Sequence, residues 1–324
     1  MNRTRMPRLS TLALCACASI VSAQAHATVV LSALTASTIA SANGNLAAPG
    51  FNIYPGYAGS FSNILDAAGQ ASSFGFASEG GAYAVRSGAL GIGNSSAAAG
   101  LLYTVTNTSG QAQQFTMSFH IYGGSIATRL IEFNGLGTQA LTGGETLFAT
   151  YAARVLFNGN EVFSSSASLL RNASGPTPTL SKAGTTLLDS GDDGSDGEYS
   201  WGDGYYSILL PVVAAGEVFT VLTEVEDSAT ANVGVYDFGV SGTVCNDQGG
   251  YGGSQALCFK GEASSFYGDP VDFNSSNNNT GAGQMLTSFV GANPNNVPEP
   301  ATVSLVGLAV LGAVASTRRR RRSA

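Results

Sequence analysis

Apolar and polar residues alternate along most of this chain, which is the period of a half-buried β-strand. In residues 113–122 the two kinds of side chain fall on opposite faces, with Phe115, Met117, Phe119 and Ile121 on one and Thr116, Ser118 and His120 on the other. Residues 101–105 alternate in the same way, and an Asn-Thr-Ser-Gly sequence follows them. The pattern predicts a β-hairpin between these two segments.

A second hairpin is predicted around Asn158-Gly159, the residue pair most typical of a two-residue β-turn, between strands at residues 151–157 and 160–170. Later strands are predicted at residues 205–213, 217–227 and 232–244, and a long loop at residues 173–183. In the strand at 217–227, Phe219, Val221 and Val225 are expected to face inward. Short strands with frequent turns predict an all-β domain over residues 28–272, an antiparallel β-sandwich or a jelly-roll-like fold.

The N-terminus has the three parts of a secretory signal peptide. Arg3, Arg5 and Arg8 precede an apolar run at residues 9–21, and Ala25-His26-Ala27 has small residues at the cleavage positions. This order predicts a signal peptide over residues 1–27 that is cut after Ala27. A lipoprotein cut before Cys17 is the alternative, and it would leave a very short apolar run.

The C-terminus predicts a membrane segment. Residues 301–317 carry no charge and would rise about 25 Å as a helix, close to the roughly 30 Å hydrocarbon core of a bilayer. Five arginines follow at once: Arg318, Arg319, Arg320, Arg321 and Arg322. Because arginines beside a membrane helix stay in the cytoplasm, the chain before Val297 is expected on the outer side. Residues 273–296, rich in Asn, Ser and Gly, predict a flexible stalk before this segment.

The tail resembles a known sorting signal. Val297, Pro298, Glu299 and Pro300, then the apolar segment and then the arginines, are similar to the PEP-CTERM signal of exosortase substrates. The resemblance implies export through the secretion translocon and a transient inner-membrane anchor over residues 297–324. It also implies cleavage by an exosortase-like membrane protease, in a setting of exopolysaccharide or biofilm. It covers about the last thirty residues and implies no activity for the central domain.

Charge and cysteine content narrow the partners of the central domain. Residues 28–297 hold six Lys and Arg residues and twenty Asp and Glu residues, a net charge of about −14 that excludes nucleic acid as a partner. Cys15 and Cys17 leave with the signal peptide, so Cys245 and Cys258 are predicted to form one disulfide outside the cell. On the chain-entropy model, a disulfide that closes this loop of about fourteen residues stabilises the fold by about 3 kcal/mol.

An acidic and aromatic stretch contains the candidate ligand-binding residues. Six acids lie between glycines, namely Asp189, Asp192, Asp193, Asp196, Glu198 and Asp203, and they form a candidate Ca²⁺ site. Gly194 occupies a ligand position of the EF-hand pattern, so the stretch is not an EF-hand, and a solvated acidic turn is the alternative. Four rings lie beside these acids, Tyr199, Trp201, Tyr205 and Tyr206, which are candidates for glycan contact or ordinary core residues.

The function predicted from the sequence is non-enzymatic. We expect an exported protein of the cell surface or extracellular matrix with a structural or adhesive role. A calcium-stabilised carbohydrate-binding module is the alternative. A glycoside hydrolase with a carboxylate pair is a third hypothesis.

Overall fold

The computed structural model describes residues 27–54, 57–78, 83–121, 123–132, 137–185, 193–236, 258–268 and 288–292. The strands in these ranges are β1 (Ala27–Ala42), β2 (Asn45–Leu46), β3 (Gly50–Tyr54), β4 (Tyr57–Asp66), β5 (Gly69–Ser78), β6 (Tyr83–Asn107), β7 (Gln113–Ile121), β8 (Gly124–Leu130), β9 (Thr146–Phe157), β10 (Asn160–Asn172), β11 (Thr179–Gly184), β12 (Glu198–Trp201), β13 (Gly204–Val213), β14 (Val218–Asn232), β15 (Gly261–Tyr267) and β16 (Ser288–Ala292). No helix occurs among the described residues, and the pairings between these strands are antiparallel. The predicted all-β antiparallel fold is therefore confirmed.

These strands form three sheets. Sheet I has the order β11-β10-β9-β14-β6-β1-β2. Sheet II has the order β3-β4-β5-β6-β15-β8-β12, and sheet III has the order β13-β7-β16. Sheet I is one layer of a sandwich, and sheets II and III pack on its inner face.

Strand β6 belongs to both layers. Its residues 83–91 pair with β5 and β15 in sheet II, whereas residues 92–107 pair with β14 and β1 in sheet I. The chain changes sheet at Gly91, whose φ is 62°, and a Cβ there would lie 2.5 Å from the carbonyl oxygen of Ala68. Glycine is needed at this corner because residues with a side chain rarely adopt this positive φ, and because no space is left for a Cβ atom.

Aromatic rings fill the part of the core where sheet III covers sheet I. Phe115 of β7 contacts Phe219 of β14, with ring centroids 5.3 Å apart, and Phe119 of β7 meets Phe163 of β10 edge to face at 5.1 Å. Edge and tilted ring contacts of this kind add to the burial of apolar area. The sequence pattern placed Phe219 on the inner face, together with Val221 and Val225, and all three side chains are buried.

Small and hydroxyl side chains line the part of the interface between sheets I and II where β4 and β5 face β1 and β6. Thr38 of β1 lies 2.7 Å from the hydroxyl of Ser60 and 3.0 Å from that of Ser62, both on β4. At Gly75 of β5, an added Cβ would lie 2.9 Å from the carbonyl oxygen of Ala98 in β6. The two layers approach backbone to backbone here, so their polar groups must bond to each other rather than to water.

The hairpin predicted at Asn158-Gly159 is confirmed. β9 and β10 pair across this turn, and both turn residues have positive φ, 47° for Asn158 and 80° for Gly159. These angles are the ones that a tight β-hairpin turn requires.

The other predicted hairpin is wrong in its pairing, although both of its strands exist. β6 and β7 lie in different sheets, and the connection between them arches from sheet I to sheet III. Asn107 at the end of β6 is the reason. Its side-chain amide lies 2.7 Å from the carbonyl of Gln111, 3.1 Å from that of Val213 and 3.0 Å from that of Ala214.

Three predicted segment boundaries also need correction. The loop predicted at 173–183 contains the edge strand β11, and the stalk predicted at 273–296 contains β16, which pairs with β7. Of the strand predicted at 232–244, the described residues 232–236 contain the last residue of β14, which is Asn232, and an isolated bridge at Val235. Pairing with distant strands decides these segments, and residues 237–244 lie outside the described ranges.

We predict that Asn107→Ala lowers the free energy of unfolding by about 2–3 kcal/mol, because it removes three side-chain hydrogen bonds of the arch, of which the one to the carbonyl of Val213 is buried. Urea unfolding followed by tryptophan fluorescence measures the change. Asn160→Ala is the matched control, since this exposed amide makes one 3.4 Å contact within its own turn and its loss should cost under about 0.5 kcal/mol. Equal destabilisation by the two variants would contradict the role given to Asn107.

Candidate functional site

The acidic stretch forms a tight turn before β12. The amide of Gly197 donates to the carbonyl of Gly194 at 3.0 Å, and both glycines have positive φ. Two of the predicted calcium ligands bond within this turn. A carboxylate oxygen of Asp193 accepts from the amide of Ser195, and one of Asp196 accepts from the amide of Glu198, both at 3.0 Å. These carboxylates therefore shape the turn.

A buried arginine anchors the turn to sheet I. The guanidinium of Arg171, on β10, donates to the carbonyls of Thr128, Pro176 and Asp196 at 2.9, 3.2 and 3.4 Å. Burial lowers the pKa of Arg171, and the nearby carboxylate of Asp196 partly offsets this effect. A side chain at Gly197 would lie 2.6 Å from the guanidinium, so the glycine makes room for this anchor.

The described acids of the stretch do not converge on one point. Glu198 forms an ion pair with Arg129 of β8, and Asp203 lies exposed after β12. Within the described ranges, no three Asp, Glu, His or Cys side chains come together as a metal site. Asp189 and Asp192 lie outside those ranges, so the six-residue calcium site stays a prediction.

Two of the predicted glycan contacts are core residues. Tyr199 is 1% exposed and Trp201 is 3% exposed, and the Trp201 ring packs on Tyr151 of β9 with centroids 3.9 Å apart. The glycan interpretation is wrong for these two residues, because stacking on a sugar requires a ring face in contact with solvent. Period-2 alternation places both side chains on the inner face of β12. Tyr206 is half-buried against Phe119, whereas Tyr205 is 79% exposed on β13.

The two described residues on either side of residues 237–257, the segment that contains Cys245, lie side by side. The chain leaves at Tyr236 and returns at Cys258, which is buried, and the amide of Tyr236 donates to the carbonyl of Cys258 at 2.5 Å. Next to them, Lys260 lies 3.1 Å from a carboxylate oxygen of Glu145. Burial alone would raise the pKa of Glu145, but hydrogen bonds from Thr142, Gly234 and Lys260 lower it to about 2. Cys245 lies outside the described residues, so the Cys245–Cys258 disulfide stays a prediction.

One buried carboxyl group with a strongly raised pKa was not predicted from the sequence. Asp227 of β14 is 3% exposed and faces sheet II, where it accepts a 2.6 Å hydrogen bond from the hydroxyl of Ser87. Burial raises its pKa well above the usual range, and the bond from Ser87 opposes that shift only in part. A strongly shifted pKa is a marker of functional sites. Here the carboxyl group is enclosed between two sheets, which gives it a structural role.

An open depression of about 330 Å³ lies on the outer face of sheet I. Most of its lining is small, and it comprises Ser37, Thr38, Ile39, Ser96, Ala97, Ala98, Thr150, Ala152, Glu226, Asp227 and Ser228. Glu226 is already paired with Arg154 at 3.0 Å. A shallow surface of short hydroxyl and methyl side chains suits contact with an extended partner better than enclosure of a small substrate.

The tail provides the clearest similarity to known proteins. Residues 296–321 match the family model of the PEP-CTERM protein-sorting motif. The chain carries a PEP-CTERM sorting motif. Among curated proteins, none matches this chain. The PEP-CTERM motif implies export, a membrane-anchored intermediate and processing by an exosortase.

The parts of the PEP-CTERM motif that were predicted from the sequence lie outside the described ranges. They are Val297 to Pro300, the apolar segment 301–317 and the arginines 318–322, and the same holds for residues 1–26 of the signal peptide predicted over residues 1–27. In the described part of the chain, no helix has the length and hydropathy that crossing a membrane requires. The signal peptide and the membrane helix stay predictions.

We predict that Asp227→Asn changes how stability depends on pH. Because the pKa of Asp227 is higher in the fold than in the unfolded chain, wild-type stability is full below the unfolded pKa of about 3.9 and falls as pH rises through the folded pKa. The loss is at most about 1.4 kcal/mol per pH unit. The Asn variant lacks this loss, so its stability relative to wild type should increase with pH.

Urea unfolding at a series of pH values measures this difference. Asp193→Asn is the control, since this exposed carboxyl has its pKa lowered by hydrogen bonds from Ser195 and should show no gain as pH rises. A difference in the free energy of unfolding between Asp227→Asn and wild type that stays constant across the pH series would contradict the raised pKa of an enclosed Asp227 carboxyl.

Proposed function

We propose that this chain is an exported, non-enzymatic protein of the cell surface or extracellular matrix, with a structural or adhesive role in an exopolysaccharide-containing layer. The observation that carries the proposal is the PEP-CTERM motif at residues 296–321, placed after an all-β domain. An exosortase would cut the motif near Glu299 and free the β domain on the outer side of the inner membrane.

The chemistry of the β domain supports this role. Its acidic side chains serve structural contacts: Asp193 and Asp196 shape a turn, Glu198 pairs with Arg129, and Asp227 is enclosed. The outer face of sheet I presents a row across five strands in which Ser37, Ala98, Ala152 and Ser166 are short and Glu226 is the one long side chain. Broad faces of this kind offer hydroxyl groups to an extended polymer.

The net charge of the domain also fits a matrix setting. About −14 charges on residues 28–297 keep the protein soluble outside the cell and disfavour adsorption to anionic lipid after cleavage. A protein of this charge stays in the matrix through specific contacts and not through general attraction to an acidic polymer.

We predict that Glu299→Ala blocks processing, because the variant removes the charged residue at the centre of the motif. The full-length protein should accumulate in the inner-membrane fraction, and the processed protein should disappear from the cell surface. Immunoblots of fractionated cells measure both species. Glu161→Ala, an exposed acid in the β9–β10 hairpin, is the matched control and should be processed as wild type is.

Two results would contradict the proposal. Normal processing and export of the Glu299→Ala variant would remove the role of the PEP-CTERM motif. Recovery of processed wild-type protein in the free medium, with none in the exopolysaccharide-containing surface fraction, would remove the matrix role.

A further inference from the structure

The outer face of sheet II carries a row of aromatic residues. Phe61, Phe74, Arg86 and Phe266 are in register on the adjacent strands β4, β5, β6 and β15. Three strand spacings separate the ends of this row, a distance of about 14 Å. Tyr57 and Phe76 lie beside the row, with ring centroids 4.9 Å apart. We call Tyr57, Phe61, Phe74, Phe76 and Phe266, with Arg86 among them, the aromatic platform.

Glycines make room for two rings of the platform. A Cβ at Gly50 would lie 2.2 Å from the Phe61 ring, and a Cβ at Gly59 would lie 2.8 Å from the Tyr57 ring. The Phe61 ring therefore covers the backbone of Gly50, and the edge and hydroxyl of Tyr57 lie over Gly59. Phe61 is 49% exposed, so part of its ring is open to solvent.

The platform reverses the usual distribution of side chains in a sandwich. On β4 and β5 the residues that face sheet I are small, such as Ser60 and Ser73, whereas the large rings face outward. Packing between the two layers therefore does not account for these rings. Phe61 is exposed and the other rings of the platform are half-buried, so a cluster of aromatic residues is open in part to solvent, as in a contact surface.

The groups around the rings are polar and one of them is cationic. The next row on the same face contains Asn63, Ser72, Gly88 and Ser264 in register. Arg86 lies between Phe74 and Phe266 within the aromatic row itself. A guanidinium is the group that recognises carboxylate best, and a ring face next to hydroxyl and amide groups suits a sugar, which has C–H faces and hydroxyl edges.

We propose that the aromatic platform binds an acidic polysaccharide that contains uronate residues. The rings of Phe61 and Phe74 stack on sugar faces, and Arg86 pairs with a sugar carboxylate. This inference rests on the proposed function, since it names the polymer class that holds the exported protein in the matrix. It places glycan contact on the outer face of sheet II, at β4 to β6 and β15, instead of on the buried rings Tyr199 and Trp201 of β12.

Charge argues against one other occupant of this surface. A second copy of the chain would bring a further −14 charges to an acidic domain. An acidic polysaccharide is repelled by the domain as a whole but attracted locally by Arg86. Binding therefore requires the platform itself, which makes it sensitive to single substitutions.

Affinity electrophoresis tests the proposal with protein purified from cells that express the full chain. The probes are polygalacturonate and, as the neutral polymer, dextran. We expect polygalacturonate to retard wild-type protein and dextran to have little effect. Phe61→Ala should raise the Kd for polygalacturonate about tenfold through loss of one stacking ring. Arg86→Gln should abolish the retardation, whereas Arg86→Lys should keep the part that salt weakens.

Tyr205→Ala is the matched control, because Tyr205 is an aromatic residue 79% exposed on sheet III, away from the platform. It should bind as wild type does, and circular dichroism confirms that each variant is folded. No retardation of wild type, equal retardation in dextran, or loss of binding in Tyr205→Ala would each overturn the proposal. The same holds if Phe61→Ala changes dimerisation or pelleting with phosphatidylglycerol vesicles and leaves glycan binding unchanged.

The outcome is separable from that of the Glu299→Ala experiment. Normal processing together with no polygalacturonate binding would overturn the proposed role of the aromatic platform and leave the proposed export unaffected. Polygalacturonate binding by a protein whose processing does not depend on Glu299 would support the proposed role of the aromatic platform and overturn the proposed sorting.

Discussion

Close approach of the two layers is the constraint on which the rest of the fold depends. β6 can pair in sheet II and then in sheet I because glycine permits the turn at Gly91, where φ is 62°. Close to the strand that belongs to both sheets, where β4 and β5 face β1 and β6, the layers lie too near each other for large side chains, and Ser, Thr, Ala and Gly fill the interface. The hydroxyl pairs of Thr38 with Ser60 and Ser62, and the enclosed Asp227, follow from that lack of space, because polar groups without water must bond to each other.

The same constraint relates the core to the surface. Where β4 and β5 of sheet II face sheet I, the inward side chains are small, and the large rings of these two strands lie on the outside, where Gly50 makes room for the Phe61 ring. Large buried side chains fill other parts of the sandwich, through Phe115 and Phe119 of sheet III against sheet I and through Trp201 of sheet II against Tyr151 of sheet I. The aromatic core and the proposed aromatic platform thus lie in different parts of the sandwich. The proposed contact with polymer therefore does not require the core to open.

Structure that depends on neighbouring residues could be predicted from the sequence, whereas pairings between distant strands could not. Asn158-Gly159 specified its hairpin because the backbone angles of the turn are set by those two residues. Asn107 decided the opposite outcome for the strands around it, since its partners Val213 and Ala214 are over a hundred positions away. Alternation alone does not say which face of a strand is the inside, so Trp201 could be interpreted as a surface ring although it is buried. The sorting motif was recognisable because its order along the chain, and not its three-dimensional contacts, carries the information.

Comparison of two glycine substitutions tests the central claim most directly. Gly75→Ala places a methyl group 2.9 Å from the carbonyl oxygen of Ala98 in the other layer, whereas Gly88→Ala on the outer face of sheet II meets its nearest atom, the hydroxyl of Ser72, at 3.4 Å. Urea unfolding should show that Gly75→Ala lowers the free energy of unfolding by about 1–3 kcal/mol. Gly88→Ala should be neutral or slightly stabilising, because alanine suits a strand better than glycine does. Equal effects of the two substitutions would contradict backbone-to-backbone approach of the layers.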